Sequence, residues 1–208
     1  MTIAGPVEAP PVYGLVLAGG RSRRMGRDKG TIAYRGEPHA RFTASLLARF
    51  CGRVFISCRA DQAGDSVFGH WPMVVDAYPG WGPLGGILSA FRAHPQVAFL
   101  VAACDLPFLD GEALERLLRG RDAGRAATAF WNPERGLPEP LCALYEPRFA
   151  AVAQSRAEGG CLCPTDLLLG LDVRPLPLPR GGCLVNANTP EDFRKAAAAW
   201  AERTGAHA

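Results

Sequence analysis

The sequence contains no long apolar run and no recognisable targeting leader. Nothing in it approaches the roughly 18 consecutive apolar residues that a membrane-spanning helix needs. Residues 1–11 are mostly small residues and prolines, without the charged region and apolar core of a signal peptide. We therefore expect a cytoplasmic protein that makes no membrane contact and begins with a flexible tail at residues 1–11.

Cysteine pairs at zinc-site spacing and a large net charge are also missing. The cysteines number seven, and Cys161 and Cys163 form a C-x-C pair with no second pair or histidines at zinc-site spacing. Free thiols in a reducing compartment are thus the better explanation. The formal net charge is only +3, so no overall field attracts the chain to nucleic acid.

Short apolar runs that alternate with helical periodicity dominate the remaining sequence. The chain of 208 residues is long enough to bury one core, and we predict a single domain over 12–200. Strands alternating with helices indicate a three-layer α/β/α fold with a mostly parallel, Rossmann-like sheet. The predicted strands are 12–18, 54–58, 73–76, 97–104, 126–130 and 141–145, and helices are expected near 41–50, 87–91, 111–118 and after Thr189. A proline-rich stretch at 174–180 precedes residues 183–185.

The loop after the first predicted strand concentrates glycine and positive charge. Residues 17–30 are LAGGRSRRMGRDKG, with five cations within nine residues. Paired glycines let the backbone approach a phosphate closely, and so many like charges repel one another unless an anion lies among them. The loop is neither a Walker A loop, because Gly30 follows Lys29 where a hydroxyl is required, nor a G-x-G-x-x-G fingerprint.

This loop resembles the one found in molybdenum-cofactor guanylyltransferases, a MobA-like family of nucleotidyltransferases with a glycosyltransferase-A-like fold. Three further segments resemble family motifs and follow in the family's order: GPLGG at 82–86, CDLPFL at 104–109 and VNANTPED at 185–192. The resemblance covers roughly residues 12–195. It implies transfer of GMP from GTP to the phosphate of molybdopterin, with release of pyrophosphate and formation of molybdopterin guanine dinucleotide.

The resemblance also implies a set of site residues. Catalysis would depend on Lys29, Arg24 and Asp105, and Asp105 would hold Mg²⁺, which takes one or two protein carboxylates and completes its shell with phosphate and water. The acceptor is already an anion, so no general base is required. The implied nucleotide-binding residues are Leu17, Ala18, Gly19, Gly20, Lys29, Ser57, Asp76 and Asp105.

The acceptor is expected to lie in the C-terminal half. Asn186 and Asn188 alternate, so in an extended chain they would face the same side, and the resemblance assigns both to molybdopterin binding. Asp76 also fits a turn-capping role, and the two asparagines also fit turn chemistry before the helix cap at Thr189. The segment 138–141 has no assigned role, and 159–166 is interpreted as a mobile loop over the acceptor.

Base preference and catalysis remain open at this point. Gly20 and Leu106 favour GTP over CTP by the resemblance, whereas Ser57 stands where relatives often carry asparagine. A cytidylyl- or sugar-phosphate nucleotidyltransferase is one alternative, and a non-catalytic nucleotide or cofactor carrier is another. The protein partners expected from the resemblance are molybdenum-insertion proteins and molybdoenzyme chaperones.

Overall fold

The structure of the protein, a computed structural model, describes residues 9–20, 30, 32–33, 37–189, 191–196 and 198. Residues 1–8 of the predicted tail, together with Arg24 and Lys29, lie outside the described residues. No helix in the described part of the chain is long and apolar enough to cross a membrane. The seven strands are β1 (Val12–Leu17), β2 (Val54–Cys58), β3 (Met73–Val75), β4 (Ala98–Ala103), β5 (Ala127–Asn132), β6 (Leu137–Tyr145) and β7 (Val173–Pro177).

These strands form one sheet in the order β3-β2-β1-β4-β6-β5-β7. The pairs β1–β2, β1–β4, β2–β3 and β5–β7 are parallel. Strand β6 runs antiparallel to both of its neighbours, β4 and β5. The mostly parallel sheet predicted from the sequence is therefore confirmed, with β6 as the antiparallel strand that joins its two halves.

Helices cover both faces of the sheet and produce two separate apolar cores. The helices are α1 (His39–Leu47), α2 (Pro83–Ala93), α3 (Gly111–Arg119), α4 (Pro147–Glu158) and α5 (Pro164–Leu169). One core packs α1 and α3 against side chains such as Val16 and Leu100. The other core packs α2, α4 and α5 against the alternate residues Leu15 and Val101, because successive strand side chains point to opposite faces.

Local sequence explains where several helices begin. Proline occupies the first position of α2, α4 and α5, where its missing N–H costs nothing and its fixed φ suits the helix. Helix α3 begins after Asp110, whose carboxylate accepts a hydrogen bond from the Ala113 N–H at 3.0 Å. This is an N-cap that satisfies one of the orphan donors of the first turn.

Two segments of the C-terminal half differ from what the sequence indicated. The proline-rich stretch 174–180 was assigned no element, but it contains most of strand β7 (Val173–Pro177). Because β7 is an edge strand, its prolines can lie where no neighbouring strand requires an N–H donor. The segment interpreted as a loop at 159–166 includes the first turn of α5.

Candidate active site

The carboxyl ends of β1, β2, β3 and β4 meet at one edge of the sheet. Parallel strands in the order β3-β2-β1-β4 bring the residues that follow them to this edge, where ligands of open α/β sheets bind. Gly19 follows β1, Ser57 lies at the end of β2, Asp76 follows β3 and Asp105 follows β4. Four of the predicted nucleotide-binding positions are therefore neighbours in the sheet.

The start of the glycine loop is held by β2 and by Arg59. The Ala18 N–H donates to the Ser57 carbonyl at 3.0 Å, and Arg59 Nη1 donates to the Gly19 carbonyl at 3.0 Å. The Arg59 guanidinium also bonds both oxygens of Asp61, at 2.9 and 3.1 Å. Arg59 was not predicted to be part of the site. Its position directly after β2, at the carboxyl end of a strand, could have indicated it.

The predicted nucleotide-binding residues in and before this loop differ in their exposure to solvent. Leu17 is half-buried and Ala18 is buried, whereas Gly20 is exposed, and a side chain added at Gly20 would meet nothing within 4 Å. With respect to the described residues, the backbone at Gly20 is therefore accessible to a ligand. Arg24 and Lys29, predicted to bind the triphosphate, belong to the part of the chain that is not described.

Two glycines of the GPLGG segment allow α2 to approach the sheet edge. A Cβ added at Gly86 would lie 2.5 Å from Ser57 Oγ, and one added at Gly85 would lie 2.9 Å from an Asp76 carboxylate oxygen. Ser57 is only 4% exposed. The glycines therefore serve close packing between the start of α2 and the ends of β2 and β3.

Asp76 shapes the turn that leads into α2. Its Oδ1 accepts a hydrogen bond from the Tyr78 N–H at 2.8 Å and one from Ser89 Oγ at 3.4 Å. The first bond is the Asx turn that was one of the two expectations for this residue. Asp76 is half-buried, so the turn is compatible with contact to a nucleotide.

Asp105 is a nearly buried carboxylate connected to the C-terminal half of the chain. It is 8% exposed, and Asn186 Nδ2 donates to its Oδ1 at 3.2 Å. The Ala187 N–H donates to the Asp105 carbonyl at 2.8 Å. The neighbouring Cys104 carbonyl accepts from His39 Nδ1 at 2.6 Å. Two positions predicted separately, 81 residues apart, are therefore in direct contact.

Asn188 takes part in the cap of the C-terminal helix that begins after Thr189. The backbone N–H groups of Asn188 and Thr189 donate to Asp192 Oδ2 at 2.9 and 2.8 Å, and the Asp192 N–H donates to Thr189 Oγ1 at 3.1 Å. This reciprocal arrangement is a capping box, and the bond from Asn188 is the main reason that the pKa of Asp192 is lowered. The side chain of Asn188 is exposed.

A cavity of about 180 Å³ is lined by Asn186, the hydrogen-bond partner of Asp105, and by Leu106, the residue that follows Asp105. Its wall combines apolar side chains with three polar groups, those of Glu139, Thr165 and Asn186. The strand β6 supplies part of the wall through a bulge. Residues 138–141 had no role assignable from the sequence, because the bulge follows from the pairing register of β6 and not from residue type.

All seven cysteines lie in the described part of the chain, and none forms a disulfide. Five of them are buried, while Cys161 is half-buried and Cys163 is exposed. Among the described residues, no group of three or more His, Cys, Asp or Glu side chains is arranged to hold a metal ion. A single-carboxylate site that relies on substrate phosphates for further ligands is a different arrangement, and Asp105 suits it.

Comparison with known proteins identifies the fold family. Residues 14–165 match the MobA-like NTP transferase domain. The chain is 34% identical over 189 residues to a molybdenum cofactor guanylyltransferase of Pseudomonas paraeruginosa, with 89% of this chain and 94% of the relative covered. The resemblance inferred from the motifs is confirmed by these matches.

Two further relatives extend this result. A molybdenum cofactor biosynthesis bifunctional protein of Synechocystis sp. is 36% identical over 187 residues; the match covers 90% of this chain but spans only about half, 54%, of that relative. The crystal structure of molybdopterin-guanine dinucleotide biosynthesis protein A from Archaeoglobus fulgidus superposes with a TM-score of 0.77 at 26% identity, covering 91% of this chain and 99% of that one.

Proposed function

Since the chain belongs to the MobA-like NTP transferase family, we propose that it is a molybdenum cofactor guanylyltransferase. It would transfer GMP from GTP to the phosphate of molybdopterin and release pyrophosphate. Relatives that carry this name match most of the chain, with 82% and 94% of their own lengths covered in two cases. The second activity of the bifunctional relative is not part of the proposal.

The observation that carries the proposal is the contact between Asp105 and Asn186. Asp105 follows β4 in the half of the sheet that precedes the C-terminal half in sequence, and Asn186 belongs to the C-terminal half and lines the cavity beside β6. A nucleotide and an acceptor bound on either side of this contact would have their phosphates next to each other. Holding two reactants in this way supplies much of the rate enhancement of a bimolecular reaction.

The reaction itself needs little covalent help from the protein. An oxygen of the acceptor phosphate forms a bond to the α-phosphorus of GTP, while the bond from that phosphorus to the bridging oxygen of pyrophosphate breaks. Pyrophosphate leaves with the electron pair. Because the attacking oxygen is already anionic, positioning and charge neutralisation are the main contributions expected from the protein.

Each of the predicted site residues has a specific role in the proposed reaction. The backbone from Leu17 to Gly20 would bind the nucleotide phosphates, together with Lys29 and Arg24 as cationic groups. Ser57 and Asp76 would contribute to the nucleoside side. Asn186 and Asn188 would serve the acceptor.

Mg²⁺ is part of the proposal, and Asp105 is the residue that would hold it. The carboxylate is a hard oxygen ligand anchored by Asn186 at the end of β4, and Mg²⁺ commonly uses one or two carboxylates with substrate phosphates. When bound, the ion neutralises negative charge on the phosphates. The proposal also includes a cytoplasmic location and contacts with molybdenum-insertion proteins and molybdoenzyme chaperones.

The proposed function is tested by the release of pyrophosphate from GTP, CTP and ATP in the presence of Mg²⁺ and molybdopterin. We expect release with GTP only, dependent on molybdopterin, and a fall of about 100- to 1,000-fold in kcat for Asp105→Asn, since one electrostatic contact to the transition state is lost. Asp172→Asn is the matched control, because its side chain is 72% exposed and lies beside β7.

Other outcomes would identify other functions. Release with CTP, or with a sugar phosphate as acceptor, would assign the chain to a sister nucleotidyltransferase. Nucleotide binding without release in any combination would favour a non-catalytic carrier. An Asp105→Asn variant as active as the wild type would remove Asp105 from the reaction.

A further inference from the structure

The strand β6 contains a bulge at the edge of the acceptor cavity. Ala129 on β5 pairs with Ala143, whereas Trp131, two residues further along β5, pairs with Pro138, five residues back along β6. The pairing of β6 with β4 continues to Cys142. Residues 139–141 are therefore extra to the ladder, and bulges of this kind often redirect side chains next to active sites.

A hydrogen bond from a buried tyrosine stabilises the bulge. The hydroxyl of Tyr145, which is fully buried, donates to the Pro140 carbonyl at 2.7 Å. This bond satisfies a carbonyl that the ladder leaves unpaired. Glu139 and Leu141, on either side of Pro140, both line the cavity.

Glu139 is the acidic residue of the cavity wall. It is half-buried, and no other described residue forms a hydrogen bond or ion pair with its side chain. Its neighbours around the cavity are the apolar Leu106, Leu141 and Leu184. A carboxylate in such a place suits a ligand that presents two adjacent N–H donors from a flat, otherwise apolar ring.

We propose that Glu139 recognises the pterin ring of the acceptor through its ring N–H and the adjacent amino group. This assignment rests on the proposed function. A carboxylate has two oxygens that can accept this pair of bonds side by side, and the leucines would pack against the ring faces. The cavity volume of about 180 Å³ is below the roughly 300–1,000 Å³ of sites for larger ligands, which suits one bicyclic ring.

Guanine presents the same pair of N–H donors as a pterin, so hydrogen bonding alone does not say which ring occupies the cavity. The location of the cavity favours the pterin. The cavity is bounded by β6, by Thr165 of α5 and by Asn186, whereas the glycine loop follows β1, beyond β4 in the sheet order. Asn186 links the cavity wall to Asp105. A pterin in the cavity would thus have its phosphate directed towards Asp105, with the guanine base on the side of β1 and β2.

The test uses Glu139→Gln, which keeps the shape of the side chain and replaces one acceptor oxygen by a donor. We expect the KM for molybdopterin to rise about 10- to 100-fold, the usual effect of losing hydrogen bonds to a charged group, with the KM for GTP unchanged and kcat altered little. Glu134→Gln is the matched control, because Glu134 is exposed on the same hairpin.

A binding measurement makes the test independent of turnover. Hydroxymethylpterin and hydroxymethyllumazine differ in that the lumazine carries a carbonyl in place of the amino group. The wild type should bind the pterin at least about 10-fold more tightly, and Glu139→Gln should lose this preference while its Tm stays that of the wild type.

The outcomes separate the two proposals. GMP transfer with an unchanged molybdopterin KM and an unchanged pterin preference in Glu139→Gln would overturn the assignment of Glu139 alone. A raised KM for GTP in place of molybdopterin would overturn it as well, since Glu139 would then contact guanine. Pterin binding that depends on Glu139, without GMP transfer, would uphold the assignment and refute the proposed function. Absence of pterin binding by a wild type that transfers GMP would overturn the assignment of Glu139 alone, and absence of both pterin binding and GMP transfer would refute both.

Discussion

Replacing Gly86 by alanine should destabilise the protein, because α2 approaches the sheet too closely at this residue for a side chain. The new Cβ would lie 2.5 Å from Ser57 Oγ and 3.1 Å from Leu17 Cδ2. Ser57 is 4% exposed, so its hydroxyl has little room to move aside. Overpacking of this kind costs about 1–3 kcal/mol, whereas the change from glycine to alanine within a helix gains up to about 1 kcal/mol.

A contact as short as 2.5 Å belongs in the upper part of the overpacking range, about 2–3 kcal/mol. The net loss is therefore about 1–2 kcal/mol, which for a chain of this length lowers Tm by roughly 2–8 °C. The measurement is thermal unfolding of Gly86→Ala beside Gly52→Ala, since a side chain at Gly52 meets nothing within 4 Å. The KM for GTP should also rise, because Ser57 and Leu17 belong to the proposed nucleotide side.

A double variant tests the cause. In Ser57→Ala combined with Gly86→Ala the oxygen is removed, and the nearest atom of residue 57 is then its Cβ at 3.4 Å, an ordinary contact. More than half of the lost stability should return. Gly86→Ala with the Tm of the wild type, or a double variant no more stable than Gly86→Ala, would refute the close-packing argument.

Two further predictions concern the core. Tyr145→Phe leaves the Pro140 carbonyl without its hydrogen-bond partner, which should lower the free energy of unfolding, measured in urea, by about 1–3 kcal/mol. The substitution should also raise the KM for molybdopterin more than the KM for GTP. Equal changes in the two KM values would contradict the role of the bulge. Burial raises the pKa of Cys51 to about 12 and that of Cys183 to about 11, from an ordinary value of 9.0. Above about pH 9 the folded state therefore keeps protons that the unfolded state releases. The contribution of the two thiols to the free energy of unfolding is complete below about pH 9 and is lost as the pH rises towards 11–12. A free energy of unfolding that stays constant across that range would show that the two thiols do not contribute to its pH dependence.

The N-terminal half of the fold was largely predictable from the sequence, because its strands are continuous apolar runs. Strand β2 was predicted with the bounds that the structure shows, Val54–Cys58, and β4, with every residue buried, is the most apolar stretch of the chain. The ends of these strands led directly to Ser57, Asp76 and Asp105. Residue type and position along the chain were sufficient there.

The C-terminal half was less predictable for physical reasons. Helix α4 was missed because its buried face consists of Phe149, Ala153 and Ala157, and alanines give little hydrophobic periodicity. Strand β7 was missed because proline is rare in strands, although an edge strand tolerates it. The contact of Asn186 with Asp105 and the exposure of Glu139 to the cavity depend on sheet register, which local patterns do not specify.

The order of the strands has a consequence for the biogenesis of the protein. Synthesis of β1 to β4 is complete at Ala103, and these strands are mutual neighbours in the order β3-β2-β1-β4. These four strands are therefore synthesised before β6, which spans Leu137–Tyr145. Until β6 arrives, the nascent chain displays the unpaired apolar edge of β4, a template for association with other strands. Chaperone protection of the nascent protein should matter most during this interval.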